Sequence, residues 1–387
     1  MLYKAESPMK EILILAYKLL VNDKGKYTAL LVGTTFSVFL IVQMTSSFAG
    51  ILTKASATVI NVGASIWVMD PAATNSVMGS IPMPDYVLDA VRSLNGVKYA
   101  VPLYSSAALL KFHDGTYQAV TVIGLDDASL VGRPKLIEGH IGDIFAENGF
   151  IAVKDEEFYK LENPKLGTEF ELNDNRGVIV GIATVPTGAL YGTPTLYTTY
   201  NRAIQYIPSL RFTSSYILVE PKAASDISSI KQQVAQLGYL ALTNREFQQG
   251  ISNYLKYQTG IGTNTLLMTV ISFIVGLSIS GQTFYTFILE NLEHFGALKA
   301  MGAKGRDLVY MILFQAAFTS LVGYGLGIGL STVLIMAAKL RLPEYASRVT
   351  YTNLGLAFLL VLIIASISSY AGVRKVLRVE PFDIFRG

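Results

Sequence analysis

The stretch EHFGALKAMGAKGRDL, residues 293–308, carries charges and three glycines, although the sequence on both sides of it is apolar. Each of the four uncharged runs in the chain is longer than the roughly 20 residues that a helix needs to cross the hydrocarbon core of a membrane. Two of these runs flank the quoted stretch directly. The pattern predicts four transmembrane helices, at 27–53, 257–289, 308–338 and 349–373.

Composition supports a membrane protein with one large polar insertion. Charged residues make up 15% of the 387 residues, whereas soluble domains carry about 25%. The deficit lies in the four runs, because residues 54–256 have an ordinary soluble composition and are long enough to form their own core. We therefore expect an α-helical membrane protein with four transmembrane helices and a large α+β extracytoplasmic domain between helices 1 and 2.

The α+β expectation rests on alternating helix and strand patterns within 54–256. The stretches SIWVMD (65–70) and FELNDNRGVIVGIATV (170–185) have the β-branched and aromatic runs of strands. In contrast, 83–97 and 225–242 show helical spacing followed by a glycine. We predict two similar helix and strand units, divided by an all-β insertion around residues 100–215. The bordering segments, 52–62 and 243–260, are predicted to be helical stalks.

The distribution of Lys and Arg predicts the orientation in the membrane. They number five in 1–26, three in 290–307 and four in 374–387, against three in 339–348. Short positive flanks mark the cytoplasmic side. Both termini and 290–307 are thus expected inside, with 339–348 as a short external loop. The segment 1–26 contains an amphipathic pattern at 8–22, which fits either a helix in the membrane interface or an ordinary packed surface helix.

Several kinds of chemistry are not indicated by the sequence. The chain has no cysteine and three widely separated histidines, so no metal site and no catalytic residue is predicted. The phosphate-loop pattern G-x-x-x-x-G-K-[ST] does not occur in it, so ATP binding by that route is not expected. A basic patch for nucleic acid is also not visible. No ionisable residue lies inside the four runs, which argues against a proton-coupled pump.

Four glycines in the third run are interpreted as helix-packing residues. The stretch GYGLGIG contains two pairs spaced four residues apart, which let membrane helices approach closely. The partner helix, in this chain or in a second copy, stays open at this point. The predicted packing residues are Gly323, Gly325, Gly327 and Gly329.

The opening stretch also carries an apolar stripe. Leu292, Phe295, Leu298 and Met301 recur every three residues, whereas the charged residues occupy other sides of the same helix. An exposed apolar stripe on a short helix requires a groove in a partner. From the residues alone, binding to a partner and packing on the chain's own helices are equally favoured.

Three stretches resemble one known superfamily. ENLEHFGALKAMGAKGRDL resembles the loop between the second and third spans of MacB/FtsX/LolC-type ABC transporter permeases, the type VII exporter superfamily. AYKLLVNDKGKYTALLVG is similar to the N-terminal pattern of these permeases, and VRKVLRVEPFDIFRG, with Pro381 and Arg386, to their ending. The stretch VIGLDDASLVGRPKLIEG (122–139) looks most like DevC-type exporter permeases. One departure is His294, which stands where the superfamily usually has an acid.

The resemblance implies a non-catalytic permease subunit that works as a dimer with two copies of a separate ATPase. That ATPase would bind the ATP and Mg²⁺, and this chain would bind no cofactor. Residues 290–307 would be the coupling-helix loop. The residues that the resemblance assigns to ATPase coupling are Glu293, Phe295, Gly296, Leu298, Lys299, Met301 and Gly302.

The resemblance further implies the inner membrane as location and a periplasmic position for the large domain. DevC-type systems pair with a membrane-fusion adaptor and a TolC-like outer-membrane channel, and they export lipid-like or amphiphilic cargo by motion of the periplasmic domain. An FtsX-like regulatory protein that controls a periplasmic partner without moving cargo has the same topology. It remains the alternative at this point.

Overall fold

The structure, a computed structural model of the chain, describes residues 8–75, 81–190, 192–207 and 213–378. They fall into two compact units. We call the first the membrane unit; its described residues lie within 1–50, 263–341 and 347–387. We call the second, residues 51–262 and 342–346, the extramembrane domain. The end of the C-terminal motif, with Pro381 and Arg386, lies outside the described residues.

The α-helices fall into long spans and short connecting or packing helices. In chain order they are α1 (Pro8–Asn22), α2 (Lys24–Ala55), α3 (Ala57–Val62), α4 (Tyr86–Arg92), α5 (Tyr200–Tyr206), α6 (Ile227–Gln236), α7 (Asn244–Tyr257), α8 (Gly260–Glu290), α9 (Leu292–Ala300), α10 (Gly305–Arg341) and α11 (Tyr351–Leu377).

The strands of the described residues all belong to the extramembrane domain. In chain order they are β1 (Ile66–Met69), β2 (Met83–Pro84), β3 (Val97–Lys111), β4 (Tyr117–Leu125), β5 (Lys135–Gly139), β6 (Gly149–Val153), β7 (Glu169–Leu172), β8 (Asn175–Thr184), β9 (Thr195–Thr199), β10 (Thr213–Ser214), β11 (Tyr216–Pro221) and β12 (Leu240–Thr243).

Four helices of the described residues, α2, α8, α10 and α11, are long and apolar enough to cross a membrane. Their surfaces carry large apolar side chains that a soluble protein would bury, including Leu267, Ile274, Val333 and Leu359. These helices, with the α/β domain between the first and the second of them, confirm the predicted fold class.

The membrane unit has a core at the end where α1, α9 and the neighbouring spans meet. Ala16 and Leu20 of α1 are fully buried, and the side-chain amide of Gln315 donates a 2.9 Å hydrogen bond to the Ala16 carbonyl. Ile14 and Leu15, in contrast, are exposed. One face of α1 therefore packs on α10, and the other leaves apolar side chains uncovered.

The extramembrane domain is built on one ten-stranded sheet. Its order is β12-β1-β11-β3-β4-β9-β6-β8-β5, with β7 paired to β3 and β8. The helices α4 and α6 place Val87, Val91, Ile230 and Val234 in one core with the apolar residues of β1 and β11. These helices come from the two helix and strand units that the sequence predicts.

The inserted part differs from the expectation in two respects. It is not a separate β layer, because β3 pairs with β11 through its first half and with β4 from Leu103 onward. A 15-residue strand is long enough to belong to both parts. The insertion is also not all-β, since α5 packs Ala203 against β4, where a Cβ on Gly124 would lie 2.6 Å from the Ala203 Cβ.

The segments bordering the extramembrane domain are helical. Helix α2 continues without interruption to Ala55 and is followed by α3. On the return path, α7 and α8 are separated by two residues only. The chain bends tightly there, because a Cβ on Gly262 would lie 2.0 Å from the Lys256 carbonyl oxygen. Glycine is thus required where the stalk meets the second span.

One acidic side chain of the extramembrane domain is held in an unfavourable environment. Asp155 follows β6, and its Oδ2 is buried without a hydrogen-bond partner, whereas Oδ1 accepts a 3.0 Å bond from the Glu157 amide. Burial raises the pKa of Asp155 to about 6, and the neighbouring carboxylates of Glu157 and Glu156 act in the same direction. The folded protein therefore holds this proton more tightly than the unfolded chain does.

We expect Asp155→Asn to raise the free energy of unfolding at pH 8 by roughly 3 kcal/mol, because the buried charge is removed. The gain should shrink as the pH falls through about 6 and vanish below about pH 3, where Asp155 is protonated in both states. The full chain in detergent is unfolded at several pH values, and the single tryptophan, Trp67, which is fully buried, reports the transition. Parallel pH profiles for the two proteins would contradict the assignment.

Candidate functional site

Helix α9 is the element that the charged interruption forms between the second and third spans. It is separated from α8 by one residue, Asn291, whose side-chain amide donates a 2.8 Å hydrogen bond to the Phe287 carbonyl. The Asn291 carbonyl in turn accepts a 3.2 Å bond from the Phe295 amide. Helix α9 thus follows α8 across a turn in which the backbone groups remain bonded.

The other end of α9 is fixed by a glycine C-cap. Gly302 has φ +98°, and its amide donates to the Lys299 carbonyl, whereas the Ala303 amide donates to the Leu298 carbonyl at 3.0 Å. This pair of bonds is the Schellman arrangement that ends helices at a left-handed residue. The Lys304 amide then donates to Asp307 at the start of α10. The Met-Gly-Ala sequence therefore encodes a defined stop between two helices.

The buried side of α9 faces the chain's own core. Phe295 is fully buried among apolar residues of α1, α8, α10 and α11, and Gly296 is buried beside it. Leu292 and Leu298 pack at the edge of the same cluster. The sequence left open whether this stripe binds a partner or packs internally. In this structure, three of its four members pack internally.

Met301 is the exception, since its side chain is 76% exposed. Residues three apart turn by about 300° on a helix, so the stripe drifts around the axis at each step. By its fourth member it has reached the opposite side, and Met301 also lies beyond the last helical residue, at the C-cap. The exposed face of α9 is formed by Glu293, His294, Ala297, Ala300 and Met301.

The charged and polar residues near α9 also fall into two groups, one bonded to the membrane unit and one exposed. Glu290 forms a 3.1 Å ion pair with Lys26, and the Lys299 ammonium donates a 3.3 Å bond to the Leu377 carbonyl at the end of α11. Both side chains are thereby tied to the membrane unit. Glu293 and His294, in contrast, are exposed at the first turn of α9. A mixed polar and apolar surface of this kind suits a reversible protein contact.

The glycines of α10 have different surroundings. A Cβ on Gly323 would lie 2.3 Å from Thr34 Oγ1, and one on Gly327 would lie 2.6 Å from Val38 Cβ. These two glycines let α10 approach α2 of the same chain closely. Gly325 and Gly329 face open space, with no atom of the chain within 4 Å of the added Cβ.

Among the residues that the structure describes, no group of three or more His, Asp or Glu side chains is arranged to hold a metal ion.

Residues 266–381 match the family FtsX-like permease C-terminal. Over 366 residues the chain is 27% identical to an uncharacterized ABC transporter permease of Mycobacterium tuberculosis. The alignment covers 92% of this chain and 95% of that protein. It is 24% identical over 256 residues to the macrolide export ATP-binding/permease protein MacB of Salmonella typhi, covering 61% of this chain and 40% of MacB.

Among solved structures, the periplasmic region of MacB from Actinobacillus actinomycetemcomitans aligns with a TM-score of 0.37 and 14% identity. The alignment covers 50% of this chain and 95% of that one.

The sequence matches define the class of protein first: the chain is homologous to ABC transporter permeases. More particularly, residues 266–381, which include the second, third and fourth spans, form an FtsX-like permease domain, and the chain is homologous to MacB over 256 residues. This confirms the superfamily resemblance. The sequence matches place α9 and its C-cap inside the FtsX-like domain.

We expect Gly302→Ala to loosen the loop between α9 and α10, because alanine at φ +98° is strained by about 1 kcal/mol or more. No atom lies within 4 Å of the added Cβ, so the effect is confined to the backbone. Trypsin cleavage after Lys299, Lys304 or Arg306 in membrane vesicles should become faster. Gly167→Ala is the matched control, since Gly167 has φ +85° and also faces open space, but lies in the extramembrane domain. Equal cleavage in both variants would contradict a C-cap role.

We expect Gly327→Ala to destabilise the full chain in detergent by roughly 1 to 3 kcal/mol, because the added methyl overlaps Val38. Gly329→Ala, two residues further along the same helix, should be neutral or slightly stabilising, since it meets nothing and favours the helix. Thermal unfolding of the two variants provides the measurement. Equal loss of stability in both would show that contact with α2 is not what requires glycine.

Proposed function

We propose that this chain is the permease subunit of an ABC exporter, in which a separate ATPase supplies the energy and α9 is the coupling helix. ATP and Mg²⁺ would bind in two ATPase copies that act on a dimer of this chain. The single observation that carries the proposal is the exposed face of α9, held between two fixed helix ends in the FtsX-like permease domain.

The division of α9 into two faces supports a coupling role. Phe295 anchors the helix in the core of the membrane unit, so a force applied to α9 would act on the spans rather than on a loose loop. The opposite face, with Glu293, His294, Ala297 and Met301, is available to an ATPase groove. This proposal therefore assigns Phe295, Gly296 and Leu298 to transmission of the force, and the exposed residues to contact with the ATPase.

A continuous helix supports transmission toward the extramembrane domain. Helix α2 runs from Lys24 to Ala55 without a break, and its last residues belong to the extramembrane domain. A helix of 32 residues is about 48 Å long. Movement of α2 would thus reach the domain directly, whereas the return path contains the Gly262 bend between α7 and α8.

The composition of the spans supports a cargo that does not cross through a polar pathway in this chain. The four runs contain no ionisable residue in their interior, whereas transporters of ions and polar solutes usually carry such residues. We propose a lipid-like or amphiphilic cargo that is expelled by motion of a periplasmic domain. A membrane-fusion adaptor and a TolC-like channel would complete the route, with the chain in the inner membrane and both termini cytoplasmic.

Purification of the tagged full chain from its native membrane tests the assembly. We expect an ATPase subunit with a phosphate loop to co-purify, and the adaptor with it if export is the activity. Recovery of the intact chain dimer without any ATP-binding subunit would contradict the proposal. Recovery of the ATPase with a cell-wall hydrolase in place of an adaptor would favour regulation over export.

We expect Ala297→Glu or Met301→Asp to lower permease-stimulated ATP hydrolysis about tenfold or more, because either change places a new charge on the exposed face of α9, within the proposed contact. Both side chains are exposed, so the fold should persist. Ala235→Glu, an exposed position on α6 of the extramembrane domain, is the matched control and should leave hydrolysis unchanged.

The measurement is the ATP hydrolysis rate of the co-purified complex in membrane vesicles, with thermal unfolding of each variant in parallel. Unchanged hydrolysis in both α9 variants would exclude the exposed face as the ATPase contact. Phe295→Asp is not a suitable probe, because burial of its charge would unfold the membrane unit regardless of any partner.

A further inference from the structure

The loop between the third and fourth spans is bonded to the extramembrane domain. Residues 342–346 belong to the extramembrane domain, although the chain on either side of them runs into α10 and α11. Five residues are too few to form a core of their own, so specific bonds are needed to hold them in the domain. Glu344 takes part in three such bonds.

The Glu344 carboxylate is bound by one short segment of the extramembrane domain. Its Oε1 lies 2.6 Å from the Lys160 ammonium and accepts a 2.9 Å hydrogen bond from the Tyr159 hydroxyl. Lys160 also pairs with the buried Glu157 at 2.9 Å and donates a 2.8 Å bond to the Gly192 carbonyl. Lys160 is thus shared between a carboxylate of its own segment and one of the loop.

The end of α2 holds the same loop residue through its backbone. Lys54, in the last turn of α2, is buried and donates a 3.1 Å hydrogen bond to the Glu344 carbonyl oxygen. The Lys54 ammonium also forms an ion pair with Glu156. Three separate parts of the chain therefore meet at Glu344: the end of α2, the segment 156–160 and the loop itself.

Glycine at position 192 is a consequence of this crowding. A Cβ there would lie 2.7 Å from both Glu344 Oε2 and the Lys160 ammonium nitrogen. The charged atoms thus fill the space in front of Gly192. Hydrogen bonds from Lys160 and Tyr159 hold the pKa of Glu344 below its usual range, so the carboxylate is charged at neutral pH.

We propose that the bonds of Glu344 form a latch: they hold the loop between α10 and α11 against the end of α2 and the segment 156–160. Release of the Glu344 carboxylate from Lys160 and Tyr159 frees residues 342–346 from the extramembrane domain. The latch holds these five residues, which follow α10 and precede α11 in the chain, within the extramembrane domain. It stands on the contacts within the domain and does not require the transport proposal.

Thiol labelling measures whether the loop is held. The chain has no cysteine, so Ala346→Cys, a half-buried position in the loop, provides a single reactive group. We expect Glu344→Gln and Lys160→Met, each added to this background, to increase the maleimide labelling rate several-fold. Tyr159→Phe, which removes one hydroxyl donor, should have a smaller effect. Ser228→Cys on the exposed surface of α6 is the control thiol, and its rate should not change.

The double variant Lys160→Met with Glu344→Gln separates a latch from general loosening. If the two residues act as one pair, the combined increase is less than the product of the single increases. Unchanged labelling at position 346 in Glu344→Gln would overturn the proposal. An equal increase at the control thiol would also overturn it, because the effect would then not be confined to the loop.

The labelling is carried out on the full chain in membrane vesicles without nucleotide. Its result therefore does not depend on the ATPase or on cargo. A failed co-purification leaves the labelling result standing, and a failed labelling result leaves the coupling role of α9 standing.

Discussion

Burial of Phe295 in the core of the membrane unit is the constraint on which the rest of the arrangement depends. Its ring holds α9 against α1 and the neighbouring spans. Since one side of α9 is thereby occupied, the opposite side is the one that the described residues leave exposed. The cap at Gly302 then fixes where that side ends and where α10 begins. The coupling role that we propose follows from this combination of an anchored face and a free face.

The four membrane spans were predictable from the sequence, because the hydrocarbon core of a membrane restricts which residues a span can contain. Ionisable residues are expensive in hydrocarbon, so four uncharged runs identified the four spans, which the structure has as α2, α8, α10 and α11. The charged interruption likewise located α9 within a few residues. The turn between β7 and β8 also agrees with its residue types, because Asn173 and Asp174 both have positive φ, which Asn and Asp tolerate.

The division of α9 into an inner and an outer face was not predictable, because it depends on contacts distant in sequence. The apolar stripe did not distinguish internal packing from partner binding, since both require the same apolar residues. The shared strand β3 was missed for a related reason: its two pairing partners, β4 and β11, are separated by about 90 residues. The Glu344 contact lies further beyond sequence reasoning, as Lys54 is 290 positions away in the chain.

The most direct test of the account is site-specific photo-crosslinking from α9 in the native membrane. A photoreactive side chain at Ala297 should form a crosslink to an ABC ATPase subunit, whereas the same group at Ala235 on α6 should not. We expect the crosslinked partner to contain a phosphate loop, a motif that does not occur in the sequence of this chain. Crosslinks from Ala297 to lipid or to this chain only, in membranes where the ATPase is present, would contradict it.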